Sequence, residues 1–122
     1  MQWDASPTGG FTTGEPWLPA VDPDERNVAA QRDDPGSLLH LYRLLIEARK
    51  LLGNGFQLLE GFEGIVAFER PGHVVAINVT AGPQPAPLTE RPELTTHPDP
   101  LADGWLAPHA GAVAPEVGLS SA

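Results

Sequence analysis

Between Gly36 and Gly53 lies the clearest regular element of this chain, and it is apolar on more sides than a lone helix can hide. Leu38, Leu41, Leu45, Ala48 and Leu52 recur at three- and four-residue steps, and Leu39, Tyr42 and Ile46 widen the stripe. That period predicts an α-helix over residues 34–52, with a broader apolar face than a surface helix needs. Asp34 suits the N-cap, Pro35 the first helical position, and Ser37 the first turn. Arg43 and Glu47, four residues apart, are expected to pair, in the weaker order of cation before anion. Arg49 and Lys50 complement the negative helix end, and Gly53 is expected to stop the helix in a left-handed conformation. Such a helix is a rod of roughly 27 Å.

What surrounds the helix is irregular. The 14 prolines and 13 glycines predict many turns. Residues 1–24 carry Trp3, Phe11 and Trp17 among Pro7, Gly9, Gly10, Gly14, Pro16, Pro19 and Pro23, and no period survives there. Aromatic side chains on so long a loop need a surface to pack against. One or two helical turns are expected around Val28, Ala29, Ala30 and Gln31. From Phe56 onward the period is two. Residues 56–59, 65–69 and 74–79 read as strands, the last two joined by a tight turn at Arg70-Pro-Gly-His into an antiparallel hairpin. Eight of the prolines fall beyond residue 80, which leaves only short or edge strands there: Pro87-Leu-Thr, Glu93-Leu-Thr-Thr, Trp105-Leu-Ala and Gly111-Ala-Val-Ala. The expectation is an α+β chain: an aromatic-rich loop, one long amphipathic helix, then a small antiparallel β-sandwich. Residues 116–122 are expected to be a disordered tail.

Charge and composition narrow the partners. A net charge of −9 repels phosphate backbones and anionic lipid, so neither a nucleic acid nor a membrane surface is an expected partner. No stretch approaches the roughly 18 apolar residues of a membrane span. The N-terminus lacks the basic and apolar regions of a secretory signal. There is no cysteine, which rules out disulfides and thiolate metal sites and suits the cytoplasm. The Ala, Gly, Pro and Arg preference suits a GC-rich bacterial source.

The residues that do chemistry elsewhere are here explained by local structure. Asp33 and Asp34 sit at a helix start, Glu60 and Glu63 in a turn, and Asp22, Asp24 and Glu25 before the first helical turns. None forms the pair of carboxyls, one with a raised pKa, that glycoside cleavage needs. His40, His73, His97 and His109 lack metal-site spacing. The serines lack a nucleophile-elbow context, and Gly9-Gly10 lacks the lysine of a phosphate loop. No catalytic residue, metal or cofactor is therefore expected. Trp3, Trp17 and Trp105 are either platforms for a sugar's apolar face or plugs against a missing body. Packing is the favoured reading for Trp17 and Trp105, and the two readings balance for Trp3.

Met1-Gln-Trp-Asp, Gly9-Gly-Phe-Thr-Thr-Gly-Glu-Pro-Trp-Leu-Pro, Asn27-Val-Ala-Ala-Gln, Asp34-Pro-Gly-Ser-Leu-Leu and Leu41-Tyr-Arg-Leu-Leu-Ile-Glu-Ala-Arg-Lys together resemble the α-glucosidase and oligo-1,6-glucosidase branch of the α-amylase family. The match runs from residue 1 to about residue 79. It weakens beyond, where Gly104-Trp-Leu-Ala-Pro-His-Ala-Gly-Ala-Val-Ala is similar to the closing strand of the family's C-terminal β-domain. The resemblance implies that residues 1–53 are the end of a (β/α)8 barrel: the loop after its eighth strand, then its last helix. Residues 54–115 would be the antiparallel β-domain. It implies a retaining glycoside hydrolase of carbohydrate metabolism whose acidic residues lie upstream of this segment, with Met1 an internal methionine of the family's motif. Barrel active sites lie at the C-terminal ends of strands, so Gln2, Trp3 and Asp4 become substrate-side candidates. The chain alone is expected to be inactive, its parent to act on α-glucosides. The alternatives are a free-standing carbohydrate-binding or structural β-module, and a complementing fragment for a separately encoded barrel.

Overall fold

The computed structural model describes residues 1–116, so most of the expected tail at 116–122 lies outside the described residues. The chain divides into two compact units, Met1–Ile46 and Glu47–Ala122.

The first unit is a long loop followed by α1 (Val28–Asp33) and the start of α2 (Leu38–Leu51). Asn27 starts α1: its side-chain oxygen accepts from the Ala30 amide at 2.8 Å, while its Nδ2 donates to the Pro23 carbonyl at 2.8 Å. Only 2% of Asn27 is exposed, so this one residue both caps the helix and closes the loop before it.

The second helix starts later than the sequence suggests. Asp34 does not cap it. The Asp34 carboxylate instead accepts from the Gly36 amide at 2.9 Å, forming a local turn with Pro35. The cap is Ser37, whose carbonyl accepts from the Leu41 amide at 3.0 Å and whose hydroxyl faces the His40 amide at 3.4 Å. Glycine at 36 favours that late start. Glu47 pairs with Lys50 at 2.6 Å rather than with Arg43. Gly53 is not left-handed either, since it is not among the positive-φ glycines. Its absent side chain lets Pro71 approach: an added Cβ would lie 2.8 Å from the Pro71 Cγ. The Gly53 carbonyl is gripped by Arg70 through Nε at 2.9 Å and Nη2 at 2.7 Å.

The second unit holds two antiparallel sheets. The larger comprises β1 (Gln57–Leu59), β2 (Ile65–Arg70), β3 (His73–Asn78), β5 (Leu94–Thr95) and β8 (Gly111–Pro115), in the order β1-β2-β3-β8-β5. The smaller comprises β4 (Gln84–Pro85), β6 (Leu101–Ala102) and β7 (Trp105–Leu106), in the order β4-β7-β6. The β2–β3 hairpin closes at Pro71-Gly72 with Ala67 opposite Ala76. Proline density still leaves strands at 94–95, 105–106 and 111–115, but the expected strand at 87–89 is absent. The chain pairs instead at 84–85, and β6 appears where no alternation marked it.

Alternation decides what the larger sheet buries. Ile65 and Ala67 of β2, Ala76 of β3 and Ala112 of β8 point inward and meet Leu106 and Ala110. The core is built largely from alanine, and small side chains let the layers approach closely. Its polar anchor is Asn78, 1% exposed. The Asn78 Nδ2 donates toward the carbonyls of Gly82 at 2.8 Å, Leu106 at 2.9 Å and Ala107 at 3.0 Å. Its Oδ1 accepts from the amide and hydroxyl of Thr80, both at 2.8 Å. A buried amide satisfied on both ends ties the hairpin to the loop that follows it and to the stretch after β7.

Candidate functional site

Gln2, Trp3 and Asp4 open the loop, and the structure uses each differently. The backbone of Gln2 and Trp3 runs along the start of α1, accepting from the amides of Val28 at 2.9 Å and Ala29 at 3.0 Å. The Gln2 side chain is spent on the loop itself. Its Nε2 donates to the Arg26 carbonyl at 2.5 Å and its Oε1 accepts from the Val21 amide at 2.9 Å. One amide thus satisfies backbone groups that no regular structure would pair. Asp4 is committed too: it accepts from the amide and hydroxyl of Ser6, at 2.9 and 2.5 Å. Chiefly the Ser6 hydroxyl, then the Ser6 amide, holds the Asp4 carboxyl below its ordinary range. A general acid for glycoside cleavage needs the opposite shift. Trp3 alone of the three keeps its side chain uncommitted, with 52% of the residue exposed.

The tandem glycines make this packing possible. Gly9 and Gly10 both have positive φ, 61° and 74°. A Cβ on Gly9 would meet the Gln2 side chain at 2.8 Å, and one on Gly10 would meet Asp4 Oδ2 at 2.7 Å. The pair serves the turn that presents Gln2-Trp3-Asp4, in keeping with its lack of a phosphate-loop context.

Beside the loop lies an open hollow of about 460 Å³, walled by Met1, Phe11, Leu18 and Val21, with Gln2, Arg26 and Gln31 as its polar members. Around it the apolar side chains face outward. Trp17 is 93% exposed, and Phe11, Leu18 and Val21 are also exposed. The same holds along α2, which buries no residue: Leu38, Tyr42, Leu44, Ile46 and Leu51 are all exposed. The larger sheet repeats the pattern on its outer face. Val66 lies opposite Ile77 and Leu58 opposite Phe68, and Leu58, Val66 and Ile77 are exposed. Large apolar side chains are thus left uncovered along the loop, along α2 and on the outer face of the larger sheet.

Among the described residues no group of three histidines or carboxylates is placed to hold a metal ion. His40 is bonded to the Arg32 carbonyl at 3.0 Å, His97 to Thr96 at 2.8 Å, and His73 faces Glu93 at 3.4 Å. Asp22 pairs loosely with Arg26 at 4.0 Å. Trp105 is exposed on the smaller sheet. Sequence reading missed Asn27 and Asn78. An asparagine just before an apolar run signalled the first, but nothing local signalled the second.

No family model matches the chain. Curated proteins do. It is 52% identical over 52 residues to an oligo-1,6-glucosidase of Parageobacillus thermoglucosidasius, covering 41% of this chain and 9% of that protein. It is 38% identical over 88 residues to an oligo-1,6-glucosidase of Bacillus cereus, covering 66% of this chain and 16% of the relative. A glucan 1,6-α-glucosidase of Streptococcus pneumoniae is 38% identical over 76 residues, covering 57% of this chain and 14% of that protein. The chain thus spans between 9% and 16% of the length of these relatives. Among solved structures, a trehalulose synthase matches with a TM-score of 0.71 and 28% identity, over 94% of this chain and 24% of the synthase.

Proposed function

We propose that this chain, a segment of the α-glucosidase branch of the α-amylase family, is the non-catalytic end of a retaining enzyme that hydrolyses α-glucosides. In this reading residues 1–53 close a (β/α)8 barrel and residues 54–115 are the β-domain behind it. A cysteine-free bacterial enzyme of the cytoplasm fits the composition.

One observation carries the reading: α2 is a helix of 14 residues, apolar round most of its circumference, with nothing buried. A helix gains most of its stability from packing an apolar face. This one has the face without the packing. The exposed Trp17 and the outer sheet row repeat the deficit. Each is what a piece looks like when it is read apart from the body that would cover it.

Within the parent, the loop's task is positional. Gln2 fixes the backbone between Val21 and Arg26, and Asp4 fixes the Ser6 turn, so that the free indole of Trp3 is presented on a rigid segment near the substrate mouth. An indole face complements the C–H face of a glucose ring. The carboxylates that attack and protonate the glucoside belong to the barrel.

Two assays test this. Pure chain is expected to release no nitrophenol from p-nitrophenyl α-glucoside above buffer. Co-expression with an oligo-1,6-glucosidase barrel lacking the matching segment is expected to bring the chain into a stable complex. Turnover that co-elutes with the lone chain would overturn the reading. Failure of the chain to join the barrel while remaining a soluble monomer would favour a free-standing β-module. Saturable quenching of Trp3 and Trp105 fluorescence by maltose would then be its signature.

A further inference from the structure

The chain has three asparagines, and their surroundings differ sharply. Asn27 and Asn78 are 2% and 1% exposed, with both ends of each amide hydrogen-bonded. Each is followed by valine, Val28 and Val79. Asn54 is exposed, lies at a bend between α2 and β1, and is followed by Gly55. Among the described residues, neither Asn54 nor Gly55 takes part in a hydrogen bond.

We propose that Asn54 is a site of spontaneous covalent modification, deamidating through a cyclic imide formed with Gly55. The Gly55 backbone nitrogen attacks the Asn54 side-chain carbonyl carbon and a new N–Cγ bond forms. The Cγ–Nδ2 bond breaks, and the proton lost from Gly55 leaves with that nitrogen as ammonia. Solvent water then adds to one of the two imide carbonyls and opens the ring. One opening gives aspartate. The other gives isoaspartate, with the main chain running through the former side-chain carbon. No oxidant or reductant is involved, and water is the only co-reactant.

Three features of the joint favour the first step. The Gly55 nitrogen has no competing acceptor to give up. Glycine has no side chain to block the approach and has the widest backbone freedom of any residue. Neighbouring Gly53 is held by Arg70, so the chain on one side is fixed while Asn54 and Gly55 stay exposed. Valine after Asn27 and Asn78 is β-branched and stiff, and there the attack would also require the amide's hydrogen bonds to break. The product places a negative charge three residues beyond Leu51, past the negative end of α2, where the helix dipole disfavours it. Modification at this bend is therefore expected to fray the last turn of the helix.

The test is peptide mapping of the full chain after incubation in mildly alkaline buffer, with isoaspartate detected by enzymatic methylation. Asn54 is expected to convert at least about tenfold faster than Asn27 or Asn78, the factor that ~1.4 kcal/mol of required local opening supplies. The same map in denaturant removes protection by folding, and Asn54 should still convert first because its neighbour is glycine. Gly55→Ala in denaturant should slow Asn54 toward the rate at the two valine sites. Equal rates at the three asparagines in denaturant, an unmodified Asn54, or a Gly55→Ala chain that reacts as fast as the parent would each contradict the proposal.

Discussion

The loop at the start of the chain and the sheets at its end solve the same problem in opposite ways. Both are short of large buried side chains. The sheets compensate by burying small ones: Ala67, Ala76, Ala110 and Ala112 bring backbones close, and Asn78 satisfies the polar groups left between them. The loop buries almost nothing and is stitched by polar side chains, with Gln2 bridging Val21 and Arg26, Asn27 closing onto Pro23, and Asp4 holding Ser6. Its apolar groups point outward. The sheets keep a buried core behind their exposed outer row, whereas the loop displays its apolar groups with no such core behind them.

Removing the centre of each region should separate the two strategies. Asn78→Ala removes the donor shared by the carbonyls of Gly82, Leu106 and Ala107 and the acceptor of the Thr80 amide, at a cost of about 2–3 kcal/mol. Urea unfolding of the β-domain should therefore shift to lower midpoint with little change in slope. Gln2→Ala should cost less, about 1 kcal/mol, because the bonds lost are partly exposed. Its mark would be local: faster amide exchange at Val21 and unchanged exchange along β3.

Smaller effects sharpen the contrast. Trp17→Ser removes an exposed aromatic from no packed environment, so unfolding should hardly change while solubility improves. Acid probes the Asp4 turn. Because the folded carboxyl titrates below its ordinary value, its contribution is present above the usual carboxylate pKa and is lost as pH falls through the lowered one. The Ser6 amide resonance should report a midpoint below that of a free aspartate. A midpoint at or above the ordinary value would contradict the Asp4–Ser6 bonds.

The legible parts of the fold were those set by local pattern. Period-two runs fixed β2, β3 and their turn, and the leucine stripe fixed α2. Helix starts were less legible, because Asp34, Pro35 and Gly36 together favour a turn that competes with a cap. The two-residue strands β4 and β6 escaped reading because their pairing comes from β7, a partner distant in sequence from β4. The placement of Gln2 and Asp4 was hidden for the same reason: sequence offers their amide and carboxylate, but only the folded loop shows which backbone groups absorb them. The Trp3 side chain stays exposed, which leaves open both of the roles that its sequence suggests.

Amide hydrogen exchange on the monomeric chain, comparing α2 with β2, β3 and β8, reaches the account's foundation most directly. Helix amides of Tyr42 to Leu51 should exchange far faster than those of Val74 to Asn78, because only the sheet has its packing partner in hand. Protection of α2 equal to that of β3 would mean that the helix needs no covering surface, and the reading of this chain as part of a larger body would fail with it.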